Sequence, residues 1–255
     1  MGFFERSTRR KSRLAAALVG ASLALAACSS NDDWRTASRE SAGLAPLPSV
    51  EREAVVQVYA ARAFRWRKYF AVHAWIATKE RDAAAYRVYQ VVGWNLGRGE
   101  GVVVDREDFP DRYWYGARPE LIQTIRGAAA ERAIPRIREL VAGYAYPETY
   151  RAWPGPNSNT FVAHIIRHVP ELGVELPPHA VGKDWIGRGD FFGRSESGTG
   201  VQFSVYGVLG ATLGLAEGVE VNLLGLSFGV DLWRPALKLP MIGRLGFPDA
   251  PVFEP

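Results

Sequence analysis

Two stretches of this sequence combine residue types that can break bonds. The first is Pro154-Gly155-Pro156-Asn157-Ser158-Asn159-Thr160-Phe161, which runs into an apolar segment ending at His168. Two prolines and a glycine stop whatever precedes, and Asn157 or Ser158 can cap a helix that starts immediately afterwards. On that helix Ser158 falls within the apolar stripe of Phe161, Val162, Ile165, Ile166 and Val169, while Thr160, His164 and Arg167 point the other way. An inward serine at a helix N-terminus sits where the dipole and the unpaired N–H groups favour developing negative charge. That suits a nucleophile, and a serine that only caps the helix carries the same signature.

The second stretch is residues 70–78, FAVHAWIAT, in which His73 shares a strand face with Ala71, Trp75 and Ala77. A buried histidine needs a hydrogen-bond partner. To serve Ser158 it must take the hydroxyl proton during attack, because a dipole contribution of about 0.3–2 kcal/mol moves a pKa by at most one or two units and leaves serine un-ionised. A third group then fixes the ring. Tyr89 or Gln90 on the adjacent strand fits, one residue of register deciding which, with Asp184 as a remoter choice. His164 and His168 lie four apart with Glu171 three further on, but Ile165 stands where a zinc protease has its glutamate. Neither Gly187-Arg188-Gly189 nor the segment 195–200, SESGTG, has the lysine and the strand-loop-helix setting of a phosphate-binding loop. No metal and no cofactor is expected.

The elements that must position these residues follow from pattern. Residues 54–60, 70–78 and 86–94 are rich in Val, Tyr, Phe, Trp and Ile and read as strands, the last two joined by a short hairpin loop at 80–84. Between the first two, residues 62–68 (RAFRWRK) alternate aromatic and basic side chains, as a half-exposed strand does, or a segment laid against anionic lipid or glycan. Residues 105–115 read as an irregular aromatic loop. Helices are predicted over 119–133 and 135–144, each opened by a proline, and then from Ser158. The turn-rich segment 176–200 reads as a long surface loop. Residues 201–216 carry no charge and, with 219–231, form a Gly-rich apolar tail, read as buried strands paired around Glu217-Gly218, with a membrane-contacting face as the alternative. Residues 232–245 read as an extended segment covering the domain edge. The order is strands, then helices. The expected fold is α+β, an antiparallel sheet packed on helices with a Gly-rich apolar C-terminal extension.

The ends and the composition bound the setting. Arg6, Arg9, Arg10, Lys11 and Arg13 precede an uncharged apolar run from Leu14 to Ala27, an export signal too short to span a bilayer. It ends Leu25-Ala26-Ala27-Cys28, which resembles the lipobox of bacterial lipoproteins, where the cysteine thiol receives a diacylglycerol. That resemblance implies residues 1–27 as signal peptide, a membrane partner through an acylated Cys28, and, with Ser29 next, the periplasmic face of the outer membrane. Residues 28–50, Ser- and Pro-rich, read as a tether, and 51–255 as a single globular domain. Removing the signal takes five basic and one acidic residue from 31 and 27, leaving 26 of each. The mature chain is formally neutral, so nucleic acid is not an expected partner. Cys28 is the only cysteine, so once it is acylated the mature chain has no free thiol and no disulfide, which excludes thiol catalysis and cysteine-ligated metals.

The order of a His-bearing strand, a neighbouring strand, helices, and then Asn-Ser-Asn-Thr-Phe resembles the circularly permuted papain-like hydrolases of NlpC type, whose nucleophile segment is often written Asn-Cys-Asn-x-Phe. Asn157, Asn159 and Phe161 match it, and Ser158 occupies the cysteine position. The resemblance implies Ser158 as nucleophile and His73 as base. The segment 156–161, PNSNTF, together with YRAWPGPNSNTFVAHI and EVNLLGLSFGVDLWRPALKLP, is similar to an uncharacterised bacterial domain-of-unknown-function family. Two functions remain open: a hydrolase or acyltransferase acting on amide or ester bonds of peptides, peptidoglycan or lipids, and a non-catalytic lipoprotein in which Asn157, Ser158 and Asn159 only cap and turn.

Overall fold

The computed structural model describes residues 33–187 and 189–248; Cys28 and the signal-like segment 1–27 lie outside the described residues. A first compact unit ends at Ala37, and its described part, 33–37, is a turn closed by the Ala37 N–H on the Asp33 carbonyl. From Ser38 onward the chain is α+β and carries two antiparallel sheets.

The first sheet has the order β4-β3-β2-β1-β5, with β1 at Val55–Arg62, β2 at Val72–Lys79, β3 at Arg87–Val91, β4 at Val103–Glu107 and β5 at Glu120–Arg126. β1 and β2 are β-branched and aromatic and are buried on both faces, so they read as continuous apolar runs. One face, with Val56, Val58, Val72, Ala74 and Ile76, packs on two helices: α1, Gly127–Ala142, and α2, Ser158–His168. The other face, with Val55, Tyr59, Trp75 and Ala77, is covered by Leu44, Ala45 and Trp114.

That cover corrects the tether. Residues 38–50 are folded onto the sheet because the Asp111 carboxylate accepts from the Ser41 hydroxyl (2.7 Å) and from the Leu44 and Ala45 N–H groups, and the Tyr86 hydroxyl donates to the Pro46 carbonyl (3.0 Å). Side-chain to backbone bonds order this segment without any apolar period. The helix expected from 119 is also corrected. Residues 120–126 are β5, since Leu121, Ile122 and Ile125 fit strand and helix spacing alike and β1 offers an open edge. Gly127, at φ 57°, turns the strand into α1, and Pro135 sits inside that single helix on its exposed side, where the unpaired carbonyl before it meets water. Residues 65–69 form a short 3-10 helix rather than a strand.

The second sheet is a seven-stranded meander, β12 to β6 in reverse sequence order. Its strands are β6 Phe192–Arg194, β7 Gly200–Val205, β8 Leu209–Gly214, β9 Gly218–Leu223, β10 Leu226–Asp231, β11 Ala236–Leu239 and β12 Gly243–Gly246. β8 and β9 do pair around Glu217-Gly218, and residues 236–246 add two further strands at the edge. Apart from Ala236, their apolar side chains are half-buried or exposed. Gln202, Thr212, Glu220, Asn222, Ser227 and Lys238 fill the inner side, while Leu209, Leu213, Val219, Val221 and Phe228 lie on the outer side.

Between α2 and this sheet runs the irregular segment 174–185. The surface loop expected over 176–200 is corrected in its first part, since 174–185 is almost wholly buried. Turn-forming residues set its lack of regular structure correctly. Its position depends on partners for its backbone that lie far away in sequence.

Candidate functional site

The segment from Pro154 enters α2 through two cis peptide bonds, Trp153-Pro154 and Gly155-Pro156. Asn157 is the N-cap: its Oδ1 accepts from the N–H groups of Asn159 (3.0 Å) and Thr160 (3.1 Å). Its Nδ2 donates to the Ala152 carbonyl (3.2 Å) and the Val181 carbonyl (2.9 Å). Asn159 Nδ2 also reaches the Val181 carbonyl (2.9 Å) and, on the other side, the Val72 carbonyl at the start of β2 (3.0 Å). Thr160 Oγ1 donates to the Gly182 carbonyl (3.0 Å). Three of these side chains therefore hold one buried turn, 181–182, and one of them ties it to the first sheet. Thr160 and Arg167, expected to point away from the core, are buried because segment 174–185 and the second sheet cover that side of α2.

The close approach explains one glycine. A Cβ on Gly182 would lie 2.6 Å from Asn157 Nδ2 and 2.9 Å from the Pro154 carbonyl, and its φ of 95° is unfavourable for any other residue.

Ser158 is the first residue of α2 and is 3% exposed. Its titratable neighbour is Tyr150, whose phenol is pushed above its usual pKa by burial, an effect partly offset by the Ser158 hydroxyl and N–H. A phenol that holds its proton at neutral pH is no base for serine.

His73 lies on β2 with its side chain on the opposite face of the sheet. Val72 and Ala74 on either side of it pack toward α2, whereas His73 stacks on Trp114 with ring centroids 3.5 Å apart, among the residues that cover the far face. The sheet separates His73 from Ser158, and the expected nucleophile-base pair is not assembled. Gln90 is brought to His73, its Oε1 2.8 Å from Nε2, and this fixes the proton on Nε2. Tyr89 instead faces the helices. Burial lowers the His73 pKa to about 4, with the Gln90 bond offsetting part, so the ring is neutral at pH 7. From Trp114 the stack continues to Trp94, centroids 5.5 Å apart, which is half exposed.

The other candidates disperse. Asp184 accepts from Gln202 Nε2 (2.9 Å), Ser227 Oγ (3.1 Å) and Asn222 and has no histidine partner. Glu171 pairs with Arg136 (3.2 Å), and His168 Nδ1 bonds the His164 carbonyl (2.7 Å). Among the described residues no cluster of three or more His, Cys, Asp and Glu is placed to hold a metal ion.

A buried ionic cluster escaped the sequence reading. Lys183 Nζ lies 3.0 Å from Glu220 and 3.7 Å from Glu175, and Lys238 bonds the same two carboxylates and the Glu217 carbonyl (2.7 Å). Glu196 faces Lys183 at 4.0 Å and accepts from the Leu176 N–H (3.1 Å). Burial raises Glu196 to about 7, and it raises Glu175 well above the carboxylate range, with the Glu220 charge adding to it. The signal was present as charges at alternate positions of otherwise apolar strands, Glu220 in β9 and Lys238 in β11. Lys183, Glu196 and Glu220 pack there against Asp184, Gln202, Thr212 and Glu217 with no room for a water-sized sphere between them.

Comparison with known proteins finds one family model, described as Protein of unknown function (DUF3750), matching residues 53–185. No curated protein and no solved structure matches the chain. The matched span runs from β1 through both helices to the end of the buried segment, and β6–β12 lie beyond it.

Two outcomes follow from this geometry. If Asn157 were only a cap, aspartate would replace it almost without cost. Because its Nδ2 also serves two carbonyls, Asn157→Asp turns two bonds into repulsive contacts and is expected to destabilise the fold by about 2–4 kcal/mol in urea unfolding; a change below about 0.5 kcal/mol would contradict the tie. The His73 shift sets a pH dependence. Its folded pKa lies below the unfolded value of 6.5, so its stabilising contribution is complete above that value and is lost as pH falls toward 4. The cost of His73→Asn should therefore be smaller at pH 5 than at pH 7.5, by about 2 kcal/mol, and equal costs at both would mean the ring is not held neutral.

Proposed function

The chain belongs to the DUF3750 family of proteins of unknown function, and on that footing we propose that it is a lipid-anchored protein of the bacterial cell envelope that binds or braces rather than cutting bonds. One observation carries the reading: Ser158 is sealed at the start of α2 while His73 faces the other side of the sheet. Serine attack needs a base within hydrogen-bond reach, about 2.6–3.2 Å. Tyr150 holds its proton, and His73 spends Nε2 on Gln90.

A permuted papain-like ancestry fits as a frame in which strand, helix and cap persist. In that frame the nucleophile position has become structural: its neighbours Asn157, Asn159 and Thr160 serve the turn at Val181 and Gly182. The anchor is supported by the basic segment, the short apolar run and Leu25-Ala26-Ala27-Cys28, which together fit export followed by acylation at Cys28 and retention at the periplasmic face of the outer membrane.

Two measurements test the two halves separately. The full chain treated with a serine-reactive fluorophosphonate should take no label at Ser158; labelling that disappears in both Ser158→Ala and His73→Ala would overturn the non-catalytic reading. In cells fed radiolabelled palmitate the protein should become labelled and Cys28→Ser should not, while an equal signal from both would remove the anchor.

A further inference from the structure

The second sheet alternates in the reverse of a half-buried sheet in water. Glu220, Asn222 and Lys238 point inward and are buried, whereas Val201, Leu213, Val219, Val221, Phe228 and Leu237 point outward and are 43–66% exposed. Monomeric soluble proteins rarely expose a contiguous apolar patch of more than a few hundred Å². Apolar-out, polar-in alternation is the pattern of sheets that face lipid. We propose that the outer face of β6–β12 lies on an anionic lipid bilayer.

Three observations favour lipid over a second copy of the chain. The turns β7-β8, β9-β10 and β11-β12 share one end of the meander, and their tips Tyr206, Leu224, Met241 and Ile242 are exposed. Trp153, itself exposed, is fixed beside them by its Nε1 bond to the Leu224 carbonyl (2.8 Å). An indole at the rim of an apolar face is placed where headgroups meet acyl chains. Next, Arg62 Nη2 donates to the Met241 carbonyl (2.8 Å), which joins this rim to the 3-10 helix carrying exposed Arg65, Trp66 and Arg67. A basic, aromatic border complements an anionic headgroup layer, and a second apolar face offers it no counter-charge.

The chain preceding the folded unit supplies the third. Nine residues lie between Cys28 and Ser38, and these ten residue steps reach at most about 35 Å, so an acylated Cys28 keeps the unit that begins at Ser38 near the membrane. This clause rests on the anchor proposed above; the face and its border do not. Strands of three to six residues are shorter than the roughly 9–11 needed to span, so the sheet rests on the bilayer surface.

The test uses the full chain with Cys28 intact and as Cys28→Ser. Each form carries one added cysteine, Leu213→Cys, Val221→Cys or, as control on the exposed side of α1, Glu139→Cys, labelled with an environment-sensitive fluorophore. Each is mixed with phosphatidylcholine and phosphatidylglycerol vesicles whose acyl chains bear nitroxides. Labels at 213 and 221 should shift to the blue and be quenched several-fold more than the label at 139, and Arg65→Glu with Arg67→Glu should weaken this several-fold. Quenching on both backgrounds supports the face as an independent lipid contact, even if palmitate labelling has removed the anchor. Quenching only with Cys28 intact supports a face brought down by its anchor. Unquenched labels at 213 and 221 on both backgrounds overturn the proposal, and a blue shift without quenching, accompanied by a dimer in sedimentation, overturns it in favour of a second copy.

Discussion

Buried backbone without a regular ladder is the constraint on which this structure depends. Segment 174–185 is interior yet neither helix nor strand, and its own turns pair only some of its backbone groups, so the other carbonyls and N–H groups need partners from elsewhere, each orphan costing about 1–3 kcal/mol. Asn157, Asn159 and Thr160 serve Val181 and Gly182; the Val72 N–H serves the His179 carbonyl; the Ser227 N–H serves Pro178; Lys183 Nζ and Glu196 serve the two ends of Leu176. The first sheet, α2 and the second sheet are all stitched to this one segment. The PNSNTF stretch is rich in amides for that reason, since an amide accepts at the helix cap and donates to carbonyls at the same time.

The ionic cluster is the second consequence of the same packing. A sheet laid over polar backbone cannot present leucines to it, so β9 and β11 present Glu220 and Lys238, which share two carboxylates and two ammonium groups with Glu175 and Lys183. Breaking one member would leave an uncompensated buried charge, a loss of about 3–5 kcal/mol, although an apolar replacement of the whole set can be neutral. Such a cluster adds little net stability. What it adds is a single acceptable arrangement of the strands.

Much of the first sheet and its helix were legible because local chemistry was strong there. β1, β2 and β3 are dense in branched and aromatic residues, Asn157 stands directly after Pro-Gly-Pro, and Gln90 has the strand parity to reach His73. The face of His73 was also readable as parity, shared with Ala71, Trp75 and Ala77. Which face the helices would cover is a tertiary fact that parity does not carry, and the nucleophile-base pairing depended on it. β5 was missed because Leu121, Ile122 and Ile125 satisfy both periods, and the burial of 174–185 was missed because polar side chains distant in sequence replace the apolar period that normally announces an interior.

The second sheet shows why alternation alone does not tell inside from outside. A one-residue slip in any of its strands would exchange the two faces, burying valine and leucine and exposing glutamate and lysine, and in water the hydrophobic effect favours that slip. Two features hold the observed register against it. The inner charges have partners only in this register, and the strand glycines fit only where they are: a Cβ on Gly210 would meet the Phe203 carbonyl at 2.6 Å, and one on Gly200 the Leu213 carbonyl at 2.0 Å. An arrangement that pairs its charges and leaves its aliphatic side chains outward is specified by its inner face alone, so the outer aliphatic side chains take no part in setting the register.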